Sequence, residues 1–281
     1  MKLAAVTLAA LALLCCRAAT GAVKPIPDFD HVVVVVFENK ETSRVLGSRD
    51  APTFNLYARV YARATQYYGI RHPSLPNYLA MVAGSTFDYS TNCVDCPINE
   101  TSLADTVDES GRTWKAYAEG LPSRGFVGGA SGRYAKKHNP FAYFTPIIDD
   151  PERVQQIVPL TELAADRASG RLPDLVFVVP DLCNSMHDCS VATGDAFLRR
   201  TVGPLLKLPR TAIFITFDEG SSNVRGGGHI PTLVVGTAVR RKSAFRRITN
   251  HYGLLRTIED GWHLPRLGLS ARARPLTGIW R

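Results

Sequence analysis

The segment His31-Val-Val-Val-Val-Val-Phe37 is the most informative part of this chain about its fold. Successive side chains of a strand point to opposite faces of the sheet, so five consecutive valines place apolar surface on both faces. A continuous β-branched run of this kind is typical of a strand buried on both faces, as in a parallel sheet covered by helices. The sequence therefore predicts a central strand at this position.

Other apolar runs alternate with helix-like stretches along the rest of the chain. We predict strands over residues 113–118, 174–180, 211–217 and 231–236, and helices over residues 52–64, 75–83, 194–206 and 251–261. Strands separated by helices predict an α/β fold with a mostly parallel central sheet flanked by helices on both faces. The sequence shows no repeat, low-complexity tract or linker, so we expect residues 23–281 to form a single domain.

Polar side chains follow three of the predicted strands at the point where each strand ends: Glu38-Asn39, Asp218-Glu219 and the segment 181–188. The carboxyl ends of parallel strands meet at one edge of the sheet, where α/β proteins carry their sites. Carboxylates that converge repel one another and need protons or a cation to coexist. We therefore predict one divalent metal ion, Ca²⁺, Mg²⁺, Mn²⁺ or Zn²⁺, bound by Glu38, Asn39, Asp218 and Glu219.

Ser74 begins a predicted helix within His72-Pro-Ser-Leu-Pro-Asn-Tyr78. Unpaired N–H groups and the helix dipole favour negative charge at such a position, including a phosphate oxygen. A metal at the serine oxygen would make that oxygen an attacking alkoxide. The sequence fits an N-cap serine equally well. Asn77, in the first turn of the helix, could donate its amide to a phosphate oxygen.

Several histidines lie near these segments. His187, followed by Asp188, could protonate a leaving group, bind phosphate or ligate a metal. His229 follows Gly226-Gly-Gly228, a turn that lets the backbone approach a ligand. We take His187 as a candidate catalytic residue, and Asp188 and His229 as candidates for substrate binding. We expect His72 to support the Ser74 segment, leave His138 open, and take His251 and His263 as structural.

The first 22 residues have the layout of a secretory signal peptide. Lys2 precedes an apolar run over residues 3–16, and small residues follow over 18–22. A run of about 14 apolar residues is too short to span a bilayer comfortably. We predict cleavage after Ala22, or after Ala19, and a secreted or periplasmic mature protein.

Four cysteines follow the predicted signal peptide: Cys93, Cys96, Cys183 and Cys189. An even number in an exported chain favours disulfides, and three pairings are open. We predict the local pairs Cys93–Cys96 and Cys183–Cys189. Zinc binding by the four thiolates is the alternative, but these spacings fit a zinc ribbon poorly. Asn99-Glu100-Thr101 is a glycosylation sequon, which matters in a eukaryotic host.

Taken together, these segments resemble the phosphoesterase family that contains bacterial acid phosphatases and phosphatidylcholine-type phospholipases C. Residues 35–40, 72–79, 134–140, 186–188, 216–220 and 278–280 carry the likeness, in order, over nearly the whole predicted mature chain. The sequence is most similar to the short secreted acid phosphatases of this family that act on phosphatidylinositol 3-phosphate.

The resemblance implies an alkaline-phosphatase-like fold and a phosphoserine intermediate on Ser74. It implies metal ligation by the four predicted ligands together with the Ser74 oxygen, phosphate binding by Asn77, and a pocket completed by His187 and Asp188. The wider superfamily uses two metals, with ligands after a strand that ends in Pro-Asp. Pro180-Asp181 resembles that pattern at a longer spacing, so Asp181 and His229 are candidates for a second metal site and one metal is our expectation.

The leading hypothesis is hydrolysis of phosphate monoesters, including phosphoinositides, with a phosphorylated small molecule or phospholipid headgroup as substrate. A phospholipase C-type phosphodiesterase is the alternative within the family. A hypothesis of another class is a non-catalytic binder of anionic surfaces through the basic segment 240–247.

The chain is basic, and its formal net charge of +8 becomes +6 once Lys2 and Arg17 leave with the predicted signal peptide. Much of the excess lies in Arg240-Arg241-Lys242 and Arg246-Arg247. Such a cluster could attract anionic substrates or an anionic lipid surface, and a solvated loop is an equally good interpretation. We find neither a motif nor aromatic interleaving typical of nucleic-acid binding, so we expect no nucleic-acid partner and at most peripheral membrane contact. The oligomeric state is left open.

Overall fold

The structure is a computed structural model and describes residues 24–281. The predicted signal peptide, residues 1–22, lies outside the described residues. The strands are β1 His31–Phe37, β2 Ala62–Ala64, β3 Tyr67–Tyr68, β4 Trp114–Ala118, β5 Ala130–Ser131, β6 Tyr134–Ala135, β7 Ile157–Pro159, β8 Leu175–Val179, β9 Thr211–Phe217, β10 Thr232–Val235, β11 Ser243–Phe245 and β12 Thr249–Asn250.

The helices are α1 Thr42–Val45, α2 Pro52–Val60, α3 Ser74–Ala83, α4 Leu103–Glu109, α5 Thr145–Ile148, α6 Glu162–Ala168, α7 Val191–Val202 and α8 His251–Trp262. Short 3₁₀ helices span Lys136–His138, Pro140–Tyr143, Val154–Gln156, Gly203–Leu205 and Gly268–Arg272.

Eight strands form one sheet in the order β11-β2-β10-β9-β1-β8-β4-β7. The strand β1 pairs in parallel with β8 on one side and with β9 on the other, so the valine run is central. The strand β10 is antiparallel to both of its neighbours, β9 and β2, and the other seven strands of this sheet share one direction. The predicted mostly parallel α/β sheet is confirmed.

One face of the sheet is covered by α2 and α7. Phe37 of β1 lies 5.2 Å from Phe54 of α2 and 6.1 Å from Phe197 of α7, measured between ring centroids. Phe217 of β9 joins this cluster at 5.4 Å from Phe37. These rings are fully buried, and each contributes about 1.5–3 kcal/mol by leaving water.

The opposite face is covered by α8 and the C-terminal segment. Phe214, three residues before Phe217 and therefore on the other face of β9, lies 6.3 Å from the ring of Trp280. Phe29 packs on Trp280 at 5.2 Å, and its carbonyl accepts a hydrogen bond of 2.9 Å from the indole of Trp262 in α8. Both faces of β1 and β9 are thus shielded from water, as the valine run predicts.

The predicted helix over residues 52–64 is wrong at its C-terminal end. Helix α2 ends at Val60, because Tyr61 takes extended backbone angles, and Ala62–Ala64 forms a sheet strand. In this strand Ala62 and Ala64 are buried and Arg63 is exposed, which is the alternation of a strand with one face in the core. Three small or polar residues carry too short a pattern to predict, and β7 and β11, also three residues each, were missed for the same reason.

Both predicted disulfides are present. Cys93 pairs with Cys96 and Cys183 with Cys189, with Cα–Cα separations of 6.1 and 4.7 Å. The local pairing is therefore confirmed. In residues 24–281, none of the helices combines the length and the apolar character that a membrane span requires.

Candidate active site

The predicted polar segments Glu38-Asn39 and Asp218-Glu219 meet at the carboxyl ends of β1 and β9. Phe37 and Phe217 are paired residues of these strands, so Glu38 and Asp218 follow side by side. The backbone N–H of Asn39 donates to Oδ1 of Asp218 at 3.1 Å. Asn39 has a φ of 58°, a left-handed conformation that Asn tolerates better than most residues, and this turn aims its N–H at the carboxylate. Glu38 and Asp218 are both fully buried.

Ser74 is the first residue of α3 and is 2% exposed. Its hydroxyl donates to Oε2 of Glu38 at 3.2 Å. The N-cap of the helix is Pro73, and the cap makes no side-chain hydrogen bond, so the N-cap interpretation of Ser74 is wrong. The hydroxyl points to the carboxylates at the sheet edge, where the helix dipole also favours negative charge.

Two side chains that we did not assign from the sequence surround Glu38. The Tyr78 hydroxyl donates a short hydrogen bond to Oε1 of Glu38. His138 Nε2 lies 3.2 Å from the same oxygen, outside hydrogen-bonding geometry, and the His138 ring stacks on Tyr78. Tyr78 is four residues after Ser74 and therefore lies on the same helix face, a spacing that could have identified it. His138 is the last residue of the 3₁₀ helix Lys136–His138, which is far from Glu38 in sequence. The only sequence feature that pointed to His138 was its position in a segment that resembles the family.

Glu219 is held by two partners from the Ser74 segment. His72 Nδ1 lies 3.0 Å from its Oε2, and Asn77 Nδ2 donates to the same oxygen at 3.3 Å. His72 Nε2 also lies 3.1 Å from the Ser222 carbonyl oxygen. His72 therefore joins the start of α3 to the loop after β9, as its predicted supporting role requires.

Asn77 is fully buried, and its amide is engaged by the preceding loop. Its Oδ1 accepts from the N–H of Ile70 at 2.8 Å, and its Nδ2 donates to the carbonyls of Arg71 at 2.6 Å and Pro73 at 3.2 Å. A phosphate oxygen would have to replace one of these bonds to be held by Asn77.

His187 and Asp188 form a hydrogen-bonded pair beside Glu38. His187 Nδ1 lies 2.6 Å from Oδ1 of Asp188, which directs its Nε2 toward Lys137 Nζ at 3.2 Å. The disulfide Cys183–Cys189 closes the loop that carries the pair. The same loop is tied to the end of β1, because the N–H of Glu38 donates to the Ser185 carbonyl at 2.8 Å.

The two remaining site candidates make other contacts. Oδ1 of Asp181 accepts from the N–H groups of Cys183 at 2.9 Å and Asn184 at 2.7 Å, so this carboxylate caps the turn after β8. His229 Nε2 lies 3.0 Å from the Thr65 carbonyl oxygen, and its ring packs on Tyr68. Neither belongs to the group of ligand atoms that approach one another within 4.8 Å, which consists of Glu38, His138 and His187.

The buried carboxylates have unusual proton affinities. Burial, together with the charge of Asp218, raises the pKa of Glu38 well above its usual range, and burial raises the pKa of Asp218. Burial and the neighbouring Asp218 raise the pKa of Glu219 to about 7. Three carboxyl groups that resist ionisation together are the setting in which a bound cation is favourable.

Two buried atoms test whether the site fits a metal ion. Oδ2 of Asp218 and Nε2 of His138 have no hydrogen-bond partner among the described residues. Burial, with Lys137 and His187 nearby, lowers the pKa of His138 well below its usual range, so its ring is neutral and keeps a lone pair for a ligand. Buried unpaired acceptors are costly, and a cation would satisfy them. The site can therefore hold a divalent metal.

The fold has clear relatives among solved structures. A member of the alkaline phosphatase superfamily from Vibrio parahaemolyticus superposes with a TM-score of 0.61 at 14% identity, covering 87% of this chain and 70% of that one. A phosphonate monoester hydrolase from Silicibacter pomeroyi superposes with a TM-score of 0.54 at 9% identity, covering 84% and 74%. At such identities the likeness shows the fold alone, an alkaline-phosphatase-like α/β fold.

Sequence relatives define the family. A model of the phosphoesterase family matches residues 46–265. A phosphatidylinositol-3-phosphatase of Mycobacterium tuberculosis is 35% identical over 265 residues, which cover 92% of this chain and 85% of that protein. The chain belongs to the phosphoesterase family. It is a hydrolase of phosphate esters, as the resemblance of its motifs implied, and its substrates are phosphorylated.

A second relative is an acid phosphatase of Aspergillus fumigatus, 32% identical over 224 residues, which cover 73% of this chain. The matched region makes up 49% of that protein, so the likeness spans about half of the fungal enzyme.

Proposed function

We propose that this protein is a secreted, metal-dependent phosphatase that hydrolyses phosphate monoesters through a phosphoserine intermediate on Ser74. The observation that carries the proposal is the hydroxyl of Ser74, which lies at the N-terminus of α3 and donates to the buried carboxylate of Glu38. A structural serine has no need of a carboxylate whose own pKa is raised, whereas a nucleophile requires such an acceptor for its proton.

We further propose that one divalent ion is held by Glu38, Asn39, Asp218 and Glu219 together with the Ser74 oxygen. His138 joins the candidate ligands because its neutral ring presents an unpartnered nitrogen beside Glu38. Oxygen ligands suit Mg²⁺, Ca²⁺ or Mn²⁺, and participation of the imidazole would favour Mn²⁺ or Zn²⁺. When bound, the ion supplies positive charge that lowers the pKa of the serine hydroxyl and offsets the carboxylates.

In the first step, Ser74 Oγ attacks phosphorus and passes its proton to Glu38. The bond from phosphorus to the ester oxygen breaks, and His187 Nε2 gives a proton to the departing alkoxide. Asp188 holds the ring by its Nδ1 and stabilises the charged form before transfer. Lys137, 3.2 Å from the same nitrogen, supplies positive charge for the phosphate oxygens.

In the second step, neutral His187 takes a proton from water, and the resulting hydroxide attacks the phosphoserine. The serine oxygen leaves and takes back from Glu38 the proton that it gave up in the first step, and free phosphate is released. Asn77 holds the loop 70–73 that precedes Ser74, and as a phosphate ligand it would exchange one of its loop bonds for the substrate. His229 at the far side of the loop after β9 is the remaining candidate for substrate contact.

The experiment that tests this proposal is an acid quench during turnover of labelled p-nitrophenyl phosphate. We expect label on the peptide that contains Ser74, and faster turnover of this monoester than of the corresponding p-nitrophenyl diester. Turnover without a labelled peptide would mean direct attack by water. A faster diester reaction would support the phospholipase C-type alternative instead.

The acid role of His187 predicts a dependence on the leaving group. Replacing His187 by Gln should lower kcat/KM, which reports formation of the phosphoserine and not its hydrolysis, by about 10²- to 10³-fold for an alkyl phosphate, because an alkoxide needs the proton. The same change should affect p-nitrophenyl phosphate far less, since nitrophenolate leaves unaided. His263→Asn, which alters an exposed histidine at the end of α8, is the control. Equal losses on both substrates would contradict the acid role.

We also propose that the chain is exported and that residues 23–281 form the catalytic domain. The disulfides Cys93–Cys96 and Cys183–Cys189 support export, because such bonds persist in oxidising compartments. The expected amino terminus of the exported protein is Val23.

A further inference from the structure

A cleft of about 860 Å³ opens at the edge of the sheet beside β11. Four exposed cations line it: Arg59 at the end of α2, Arg63 in β2, and Lys242 and Arg246 on either side of β11. We call these four residues the basic groove. Leu46 and Gly47, which follow α1, form another wall of the cleft.

The cations of the groove are not neutralised. Across residues 24–281, none of the four makes a salt bridge within 4.0 Å, whereas arginines elsewhere, such as Arg112, Arg153 and Arg210, are paired with carboxylates. The sequence segments 42–66 and 237–250, which build this edge, contain a single acidic residue, Asp50. Uncompensated positive charge on one face creates a potential that attracts anions over about a Debye length.

One end of the groove, at Arg246, lies at the carboxyl end of the strands, which also carries the active site, and the other end, at Lys242, lies before β11. The strand β11 is parallel to β2, and both run in the direction of β1 and β9. Arg246 and Arg247 therefore follow the carboxyl end of β11, at the same end of the strands as Glu38 and Asp218. Ile248 follows them with 44% of its surface exposed, which places an apolar side chain beside the charges.

We propose that the basic groove, with Arg247 and Ile248 at its rim, docks the enzyme on an anionic phospholipid bilayer and presents lipid-borne phosphate to Ser74. This inference rests on the proposed phosphatase function and names the source of its substrate. A bilayer fits better than a single small anion, because all four cations are exposed and spread along an open cleft. Charges near an anionic leaflet together with one inserted apolar side chain are what peripheral membrane binding requires.

The test is sedimentation of the full chain with vesicles of phosphatidylcholine alone or with about one third phosphatidylserine. We expect binding to the anionic vesicles alone. The pair Arg59→Gln and Arg246→Gln should weaken that binding by about 25-fold, about fivefold for each cation. Charge reversal of the same two residues to Glu should weaken it further.

The matched control is Arg167→Gln with Arg171→Gln, two exposed arginines beyond the opposite edge strand β7, one in the last turn of α6 and one just after that helix. It removes the same charge from a remote face and should change vesicle binding by no more than about twofold. Both pairs should keep wild-type turnover of soluble p-nitrophenyl phosphate, which also shows that they fold.

Equal wild-type binding to neutral and anionic vesicles, or equal losses in the two pairs, would overturn the docking proposal. Failure of the wild type to hydrolyse p-nitrophenyl phosphate would instead defeat the proposed function, and the vesicle result would stand on its own.

Discussion

Ser74→Ala should abolish phosphatase turnover, lowering kcat by about 10⁶-fold, as removal of the nucleophile does in other enzymes that form a covalent intermediate. The hydroxyl is the only group lost, and its hydrogen bond to Glu38 is lost with it. Removing it eliminates no helix cap, because Pro73 is the N-cap of α3. It also opens no large cavity, because the serine side chain is small. We therefore expect the melting temperature to stay within a few degrees of the wild type.

The control is Ser190→Ala. Ser190 is the N-cap of α7, and its side chain accepts from the N–H of Thr193. Its loss should cost about 1 kcal/mol of stability and leave kcat unchanged. We therefore expect Ser74→Ala to lose activity and keep its stability, and Ser190→Ala to lose stability and keep its activity. Substantial activity in Ser74→Ala, measured against a preparation free of contaminating phosphatase, would mean that another group attacks phosphorus.

Glu38→Gln should separate stability from metal binding. Glu38 is fully buried beside Asp218, so in metal-free protein a neutral amide at this position avoids the cost of ionising a second buried carboxyl group and should not lower the melting temperature at pH 8. The same change should remove the stabilisation that a divalent metal gives to the wild type. Turnover should fall by more than about 100-fold, because replacing a residue that only hydrogen-bonds to a metal ligand already costs up to about 100-fold.

The wild-type response to metal should depend on pH. The raised pKa values of Glu38, Asp218 and Glu219 mean that folded, metal-free protein retains protons that the unfolded chain gives up. The stability from this retention is complete below the ordinary pKa of 4.5 for Glu219 and is lost as pH rises through its folded value of about 7. A metal replaces these protons, so the rise in melting temperature on adding Mn²⁺ should be at least about 3 °C larger at pH 8 than at pH 5.

Glu259→Gln is the matched control for Glu38→Gln. Glu259 is also buried and accepts from the N–H of Leu267 at 2.8 Å and from the hydroxyl of Ser270, but it contacts none of the candidate ligands. Its replacement should lower stability and leave the metal response intact. A metal response that survives in Glu38→Gln would show that the ion is held by other residues.

The sequence predicted the sheet well because the core strands are continuous apolar runs, which indicate burial on both faces. The runs at 31–37 and 211–217 coincide with β1 and β9, and their ends place Glu38 and Asp218 together. The three-residue strands β2 and β11 carry no such signal, since three residues that include one arginine or serine are compatible with a loop. The basic groove is built from these two short strands, so it was visible in sequence only as the cluster 240–247.

The site was predictable in part. Ser74, Glu38, Asp218, His72 and the His187–Asp188 pair lie where their segments suggested. His138 and Lys137 arrive from a 3₁₀ helix whose position depends on long-range packing, so sequence spacing alone could not place them beside Glu38.

For Asn77 and His229 the sequence indicated suitable chemistry but not the partners that their side chains contact. Both carry chemistry suited to a phosphate or a metal, yet the structure engages their side chains with backbone carbonyls of Arg71, Pro73 and Thr65. Which partner a polar side chain selects is a competition among nearby groups, and those groups are known only once the loops have packed.

The α/β class, the central strand and the end of the sheet at which polar residues collect follow from the amino-acid sequence, because local periodicity sets them. The local disulfide pairs were one of three pairings that the sequence allowed. Tertiary structure alone decided that the hydroxyl of Ser74 faces Glu38 rather than capping its helix. It also decided that Tyr78 and His138 surround that carboxylate, since each contact joins residues on separate elements. The buried valine strand explains why Glu38 needs these partners. It places the Glu38 carboxylate away from water, where an unpaired charge is costly and must be balanced by side chains from distant segments.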